Sequence, residues 1–149
     1  MKTYLLDTNI LLRLIDPFSQ DHAVVKQALF VLSQSEDWQV VIVPQSIIEL
    51  WAVATRPISA NGLGYSLEKT RFEVADLLTR FDMRKDAPEI FDAWLEMVTK
   101  YNVSGKQVHD TKIVAAMLSQ NIDFLLTINT TDFKRFTEIT AVHPLEIGK

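Results

Sequence analysis

Cysteine is absent from this chain, and with it go disulfides, thiolate metal sites and a cysteine nucleophile. That absence suits a reducing compartment. No apolar run approaches the roughly 20 residues a helix needs to span a bilayer. The opening MKTYLLDTN carries an acid too early for a secretory signal. The expectation is a soluble, cytoplasmic protein with no membrane partner. A basic excess is missing too, since the formal net charge is -4 and the pI about 5.3. A passive nucleic-acid binder draws most of its affinity from neutralising phosphates, so this balance speaks against simple coating of nucleic acid. It does not exclude a nuclease, because acids that bind a divalent cation count differently from acids that face phosphate. Internal repeats, low-complexity tracts and linkers are lacking as well. What is there is 149 residues, enough for one domain with a sizeable core.

Short apolar runs at residues 3–6, 40–43 and 124–127 read as buried strands, with 140–142 as a fourth. Between them the apolar period changes to that of helices. Thr8 or Asn9 starts one that carries Ile10, Leu11, Leu12, Leu14 and Ile15 and stops at Asp16-Pro17. Residues 22–32 form a second, with Val24, Val25, Ala28, Leu29 and Leu32 on its apolar face. Ser46 is a candidate cap for a third, through Ile47, Ile48, Leu50, Trp51, Val53 and Ala54 to Arg56-Pro57. The loop-like ISANGLGYS follows. A helix from Ser66 then presents Phe72, Ala75, Leu77 and Leu78, and a connector at Met83 leads on. Pro88 suits the first turn of a helix with Ile90, Phe91, Trp94, Met97 and Val98 on one face. Residues 108–120 form the last, with Ile113, Val114, Ala116 and Met117. Buried strands alternating with helices predict βαβ units and a parallel sheet covered on both faces.

Ligands of such sheets bind outside the carboxyl ends of the strands, and acids stand at those places here. Asp7 ends the first strand. Glu49 lies in the first turns after the second, and Asp110 near the start of the helix leading to the third. Asn129 and Asp132 follow that strand. Carboxylates gathered without basic partners raise one another's pKa or take a cation. Oxygen donors select Mg²⁺ or Mn²⁺, and the chemistry suited to such a cluster is phosphodiester hydrolysis by a metal-activated water. Each residue also has a purely structural reading. Asp7, Thr8 and Asn9 are good helix caps, Glu49 and Asp110 suit first turns, and Asn129 or Asp132 can cap a short turn. The residues alone leave both readings open.

Four stretches, LLDTNILLRL, VPQSIIELWAVATRP, YNVSGKQVHDTKIVAAML and FLLTINTTDFKRF, resemble in this order the PIN-domain ribonucleases of the VapC toxin type. The resemblance spans nearly the whole chain. It implies a PIN-like three-layer α/β/α fold over residues 1–149, with a central, mostly parallel sheet of about four to five strands. It further implies a Mg²⁺- or Mn²⁺-dependent endoribonuclease, a cognate antitoxin and a homodimer. By position, Asp7, Glu49 and Asp110 match the family's three core acids and are the expected metal ligands. At the fourth position Asn129 offers a carbonyl but no charge, and Asp132, three residues on, is a further candidate. That departure keeps a second reading, a catalytically weak or inactive RNA-binding or regulatory module.

Around these acids, Thr8, Asn9 and Thr127 are candidates for orienting Asp7 or a metal-bound water. Lys106, Lys112, Lys134 and Arg135 are candidates for holding RNA phosphates, with Arg13 and Arg56 as possible additions. His109 precedes Asp110 and invites a general-base role; His22 and His143 read as surface or turn residues. Trp51, Phe91 and Trp94 suit either core packing or a stacking platform. Two other phosphotransfer patterns fit poorly. A haloacid-dehalogenase pattern wants an acid where Asn9 stands, and a receiver domain wants paired acids where Lys2 and Thr3 stand.

Overall fold

Alternation along the strands divides the interior into two cores. The computed structural model describes residues 1–148. In chain order the elements are β1 (Lys2–Leu6), α1 (Thr8–Ile15), α2 (His22–Ser33), β2 (Trp38–Ile42), α3 (Pro44–Thr55) and α4 (Leu67–Arg80). There follow β3 (Asp82–Met83), α5 (Ile90–Lys100), α6 (Gln107–Ser119), β4 (Phe124–Leu126) and β5 (Thr140–Val142). The strands form one wholly parallel sheet in the order β3-β2-β1-β4-β5. Tyr4, Leu6, Ile42 and Leu126 point to the face covered by α1, α2, α3 and α4. Leu5, Val41, Val43 and Leu125 point to the opposite face, packed by α6, with Ile90 of α5 against its margin. A strand covered on both sides must be apolar at every position, which is why these runs lack period-2 alternation.

The edges of the elements depart from the sequence-based reading in informative ways. β2 begins at Trp38, two residues early. Trp38, Tyr4 and Phe124 stack against one another across three neighbouring strands, with centroids 4.7 to 5.4 Å apart. This aromatic group closes the sheet at the end opposite the acids. Ser46 does not cap α3, because the helix starts at Pro44, whose missing N–H is one that the first turn leaves unpaired anyway. The Ser46 hydroxyl instead donates to the Leu6 carbonyl at 3.4 Å. Ser66 does cap α4, accepting from the Lys69 N–H. The connector at Met83 is a strand, β3, two residues long and paired with Val41 and Ile42; nothing so short carries a readable period. Pro88 lies before α5, not in its first turn. Ile48, Phe72, Leu78 and Phe91, expected on buried faces, are exposed. ISANGLGYS folds back on the end of α3, where Gly62 lies so close to the Arg56 carbonyl that a Cβ would meet it at 2.0 Å.

The sheet order sets up the site. From β1 the chain winds outward through β2 to β3, then crosses to β4 on the other flank of β1. The reversal falls between β1 and β4, and the carboxyl ends of strands at such a point are where sheets of this kind bind ligands. Leu6 pairs with Leu126, so the next residues, Asp7 and Thr127, leave the sheet side by side.

Candidate active site

Asp7 is buried, extended and the cap of α1. Its Oδ1 accepts from the Thr8 N–H at 2.8 Å, as a capping carboxylate does. Its Oδ2 accepts from the Thr127 hydroxyl at 2.8 Å and the Asn9 amide at 3.3 Å. Thr127 Oγ1 in turn accepts from Asn9 Nδ2 and from the Asn129 N–H, both at 3.1 Å. Asn9 Oδ1 accepts from the Ile128 N–H. The cap and the rim position are thus one arrangement, and the two readings of Asp7-Thr8-Asn9 do not compete. Thr8 Oγ1 donates to Glu49 Oε2 at 2.8 Å, joining the start of α1 to α3.

Glu49 has a second donor that the sequence reading missed. Gln45, one helical turn earlier and buried, donates from Nε2 to Glu49 Oε1 and to the His109 carbonyl, both at 2.8 Å. It ties α3 to the first turn of α6, next to Asp110. The signal available in advance was the i, i+4 spacing of Gln45 and Glu49.

Asp110 and Asp132 meet the others through their fields. Burial, then the charges of Asp7, Asp132 and Glu49, push the Asp110 carboxyl up to about 6, against a small opposing pull from His109. Asp7 is raised as well, first by burial and further by Glu49 and Asp132, despite hydrogen bonds from Thr127 and Thr8 that favour its ionised form. Among the described residues none of these four acids forms an ion pair with Lys or Arg. Nor does any group of three such side chains close around one point that could hold an ion. Asp7 and Glu49 instead spend their oxygens on neutral donors across the rim. Asn129 is exposed, its backbone fixed by Thr127, and Asp132 sits in the 3-10 turn Thr130–Phe133.

The basic residues are less uniformly placed. Lys106 and Lys134 are exposed. The Lys112 ammonium is 3.7 Å from Asp86. Arg135 donates to Gln107 Oε1 and to the Tyr101 carbonyl. Arg13 pairs with Asp21. His22 contacts the Arg13 carbonyl, and His143 caps the 3-10 turn Pro144–Glu146, so both imidazoles have structural partners. His109 is exposed beside Asp110.

An electrostatically crowded set of oxygen donors at the switch point of a parallel three-layer α/β/α sheet defines a class of fold, and sequence comparison agrees. The PIN domain matches residues 4–139, and the chain belongs to that family. Among solved structures, it resembles a toxin–antitoxin complex from Klebsiella pneumoniae at 25% identity, covering 97% of this chain and 99% of the other, with TM-score 0.63. It also resembles VapBC2 from Rickettsia felis bound to a promoter DNA fragment, at 18% identity, 95% and 98% coverage and TM-score 0.73. VapBC-1 from nontypeable Haemophilus influenzae is similar at 22% identity, 97% and 99% coverage and TM-score 0.69. No curated protein matches the chain in sequence. Among the described residues no helix is long and apolar enough to cross a membrane.

Proposed function

We propose that this chain is a metal-dependent endoribonuclease, residues 1–149 acting as one domain, and the toxin of a toxin–antitoxin pair. The observation that carries the reading is Asp110, a carboxyl pushed up to about 6 by burial and then by the charges of Asp7, Asp132 and Glu49, at the switch point of a PIN-domain sheet. A site built for an anionic ligand would supply a basic partner there, whereas oxygen donors with no Lys or Arg partner among the described residues suit Mg²⁺ or Mn²⁺. Asp7, Glu49 and Asp110 would hold the ion, with Asn129 or Asp132 completing its surroundings. Bound there, it would acidify water and offset charge on a phosphodiester, the chemistry that hydrolysis needs. The chain's own residues prepare that place. Thr127 and Asn9 fix the Asp7 carboxylate, Thr8 and Gln45 fix Glu49, and Gln45 holds the backbone before Asp110. Lys106 and Lys134, exposed on the segments that carry Asp110 and Asp132, would meet RNA phosphates. Toxin–antitoxin complexes among the similar structures support a cognate antitoxin as partner and a role as toxin.

The test is cleavage of a mixed panel of structured RNAs by protein freed of copurifying partners, with Mn²⁺, with Mg²⁺ and with EDTA. Folded Asp7→Asn and Asp110→Asn variants run beside it. Cutting that requires metal and vanishes in both variants is the expected result. Metal-independent cutting, or equal cutting by the variants, would sink the proposal. Metal-independent protection of RNA without cutting would instead mark a binding module.

A further inference from the structure

The Phe91 and Trp94 rings are not used by the site as described, although they stand next to it. Phe91 is 61% exposed. Its ring lies 5.8 Å from that of Trp94 at an interplanar angle of 35°. Trp94 is held in place, because its indole N–H donates to the Val108 carbonyl at 2.8 Å. The two rings floor a cleft of about 310 Å³ between α5 and α6, closed by Ile90, Val108, His109 and Lys112. That volume is at the low end for small-ligand pockets. The cleft adjoins the acids through His109, which precedes Asp110 and whose carbonyl is bound by the same Gln45 that binds Glu49.

We propose that this cleft holds one unpaired nucleobase of the RNA substrate, stacked on the Phe91–Trp94 pair, with Lys112 and His109 at its lip facing the attached phosphate. The proposal rests on the nuclease reading above and narrows its substrate class. Charge and shape favour this occupant. The lining offers two aromatic rings, Lys112 and His109 supply nitrogen donors, and His109 directly precedes Asp110 on α6. The exposed Lys112–Asp86 pair at 3.7 Å is long, and pairs of that kind contribute little, so the ammonium is available to a phosphate. The walls supply few polar atoms besides that lip, so the grip is stacking and not a reading of base edges. Such contacts tolerate any base, and purines, with the larger face, should hold better than pyrimidines. A base in a duplex is already stacked on its neighbours, so the cleft selects loops, bulges or single strands.

The test uses end-labelled hexa-adenylate and an abasic ribose-phosphate hexamer, titrated by anisotropy in EDTA so that neither is cut. The two carry the same phosphates, so repulsion from the acids cancels. Wild-type protein should prefer hexa-adenylate by about 5- to 150-fold, the range for stacking one base. Phe91→Ala, at an exposed position that core packing does not depend on, should lose most of that preference while binding the abasic hexamer unchanged. Trp94→Phe, which keeps a ring, should retain most of it. Placing the same six adenylates inside a longer, GC-clamped duplex should abolish the preference. No wild-type preference, or an equal one in Phe91→Ala, overturns the proposal. So does a Phe91→Ala variant that changes sedimentation but keeps the preference, since the cleft would then be a contact between copies. The two readings fail separately. A preference without cutting in any metal leaves the cleft and removes the nuclease, and cutting without a preference does the reverse.

Discussion

Asp110 sits among charges that disfavour its own, and replacing it should reveal how much that costs. Its carboxyl lies at about 6 in the folded chain against an ordinary 3.8. Ionisation is therefore harder in the folded state than in the unfolded one. The sign follows from linkage. Below about pH 4 both states are protonated and nothing is lost. As pH rises from about 4 to 6 the unfolded chain releases its proton first and wild-type stability falls, and above about 7 the loss is complete. At about 1.4 kcal/mol per pH unit, the loss is on the order of 3 kcal/mol, an upper figure because the side chain is partly solvated. Asp110→Asn removes the charge and nearly preserves the shape. Among the described residues no hydrogen bond to its carboxylate would be broken. The variant should thus be more stable than wild type at pH 8 in EDTA by about 1–3 kcal/mol. With a urea slope of about 2 kcal/mol/M, that is a midpoint shift of about 0.5–1.5 M. Tryptophan-monitored urea unfolding from pH 4 to 8 measures it. The excess should shrink toward pH 4, and Mn²⁺ should narrow it at pH 8 by stabilising the wild type more. A variant no more stable than wild type at pH 8 would show that the acids do not confront one another, and the site argument would fail with it.

Three further outcomes follow from named contacts. Thr127→Val leaves Asp7 short of a donor and two part-buried N–H groups, of Asn9 and Asn129, without this acceptor. It should cost about 1–3 kcal/mol in urea unfolding and about 10- to 100-fold in metal-dependent activity, with Thr127→Ser restoring most of both. Gln45→Leu cuts the link from Glu49 to the His109 carbonyl; cleavage should fall about tenfold or more at nearly unchanged circular dichroism, and an unchanged rate would rule out a positioning role. Lys106→Ala and Lys134→Ala should each lower the salt dependence of RNA binding by about one unit of slope. Lys112→Ala should do the same, since its exposed 3.7 Å pair with Asp86 holds the ammonium only weakly, and an unchanged slope would remove it from the phosphate contacts.

Helix types and the central strands were legible because burial on both faces leaves a run of apolar residues that no other environment demands. Asp7 and Asp110 were legible as candidates because a strand end and a first turn are where polar residues interrupt such runs, whereas Glu49, expected in a first turn, lies in the second turn of α3. Three things were not. β3 is two residues long and owes its existence to its neighbour, Val41–Ile42, and not to its own sequence. Ile48, Phe72 and Phe91 keep helical spacing yet face solvent, since a pattern gives the side of a helix but not how far its neighbours reach. Gln45 looked like an ordinary helix residue because its second partner, the His109 carbonyl, is 64 positions away.

That remoteness has a bearing on how the protein comes into being. Asp7 is made first, but Thr127, which steadies it, arrives only with β4, and the β1–β4 pairing that sets them side by side links residues about 120 apart. Contacts so distant along the chain form late, after shorter-range ones have offset the cost of closing the loop. A growing chain on the ribosome can shape β1 and α1 and still have no rim. The hydrogen-bonded rim around Asp7 is therefore complete only after the last third of the polypeptide has been synthesised and docked.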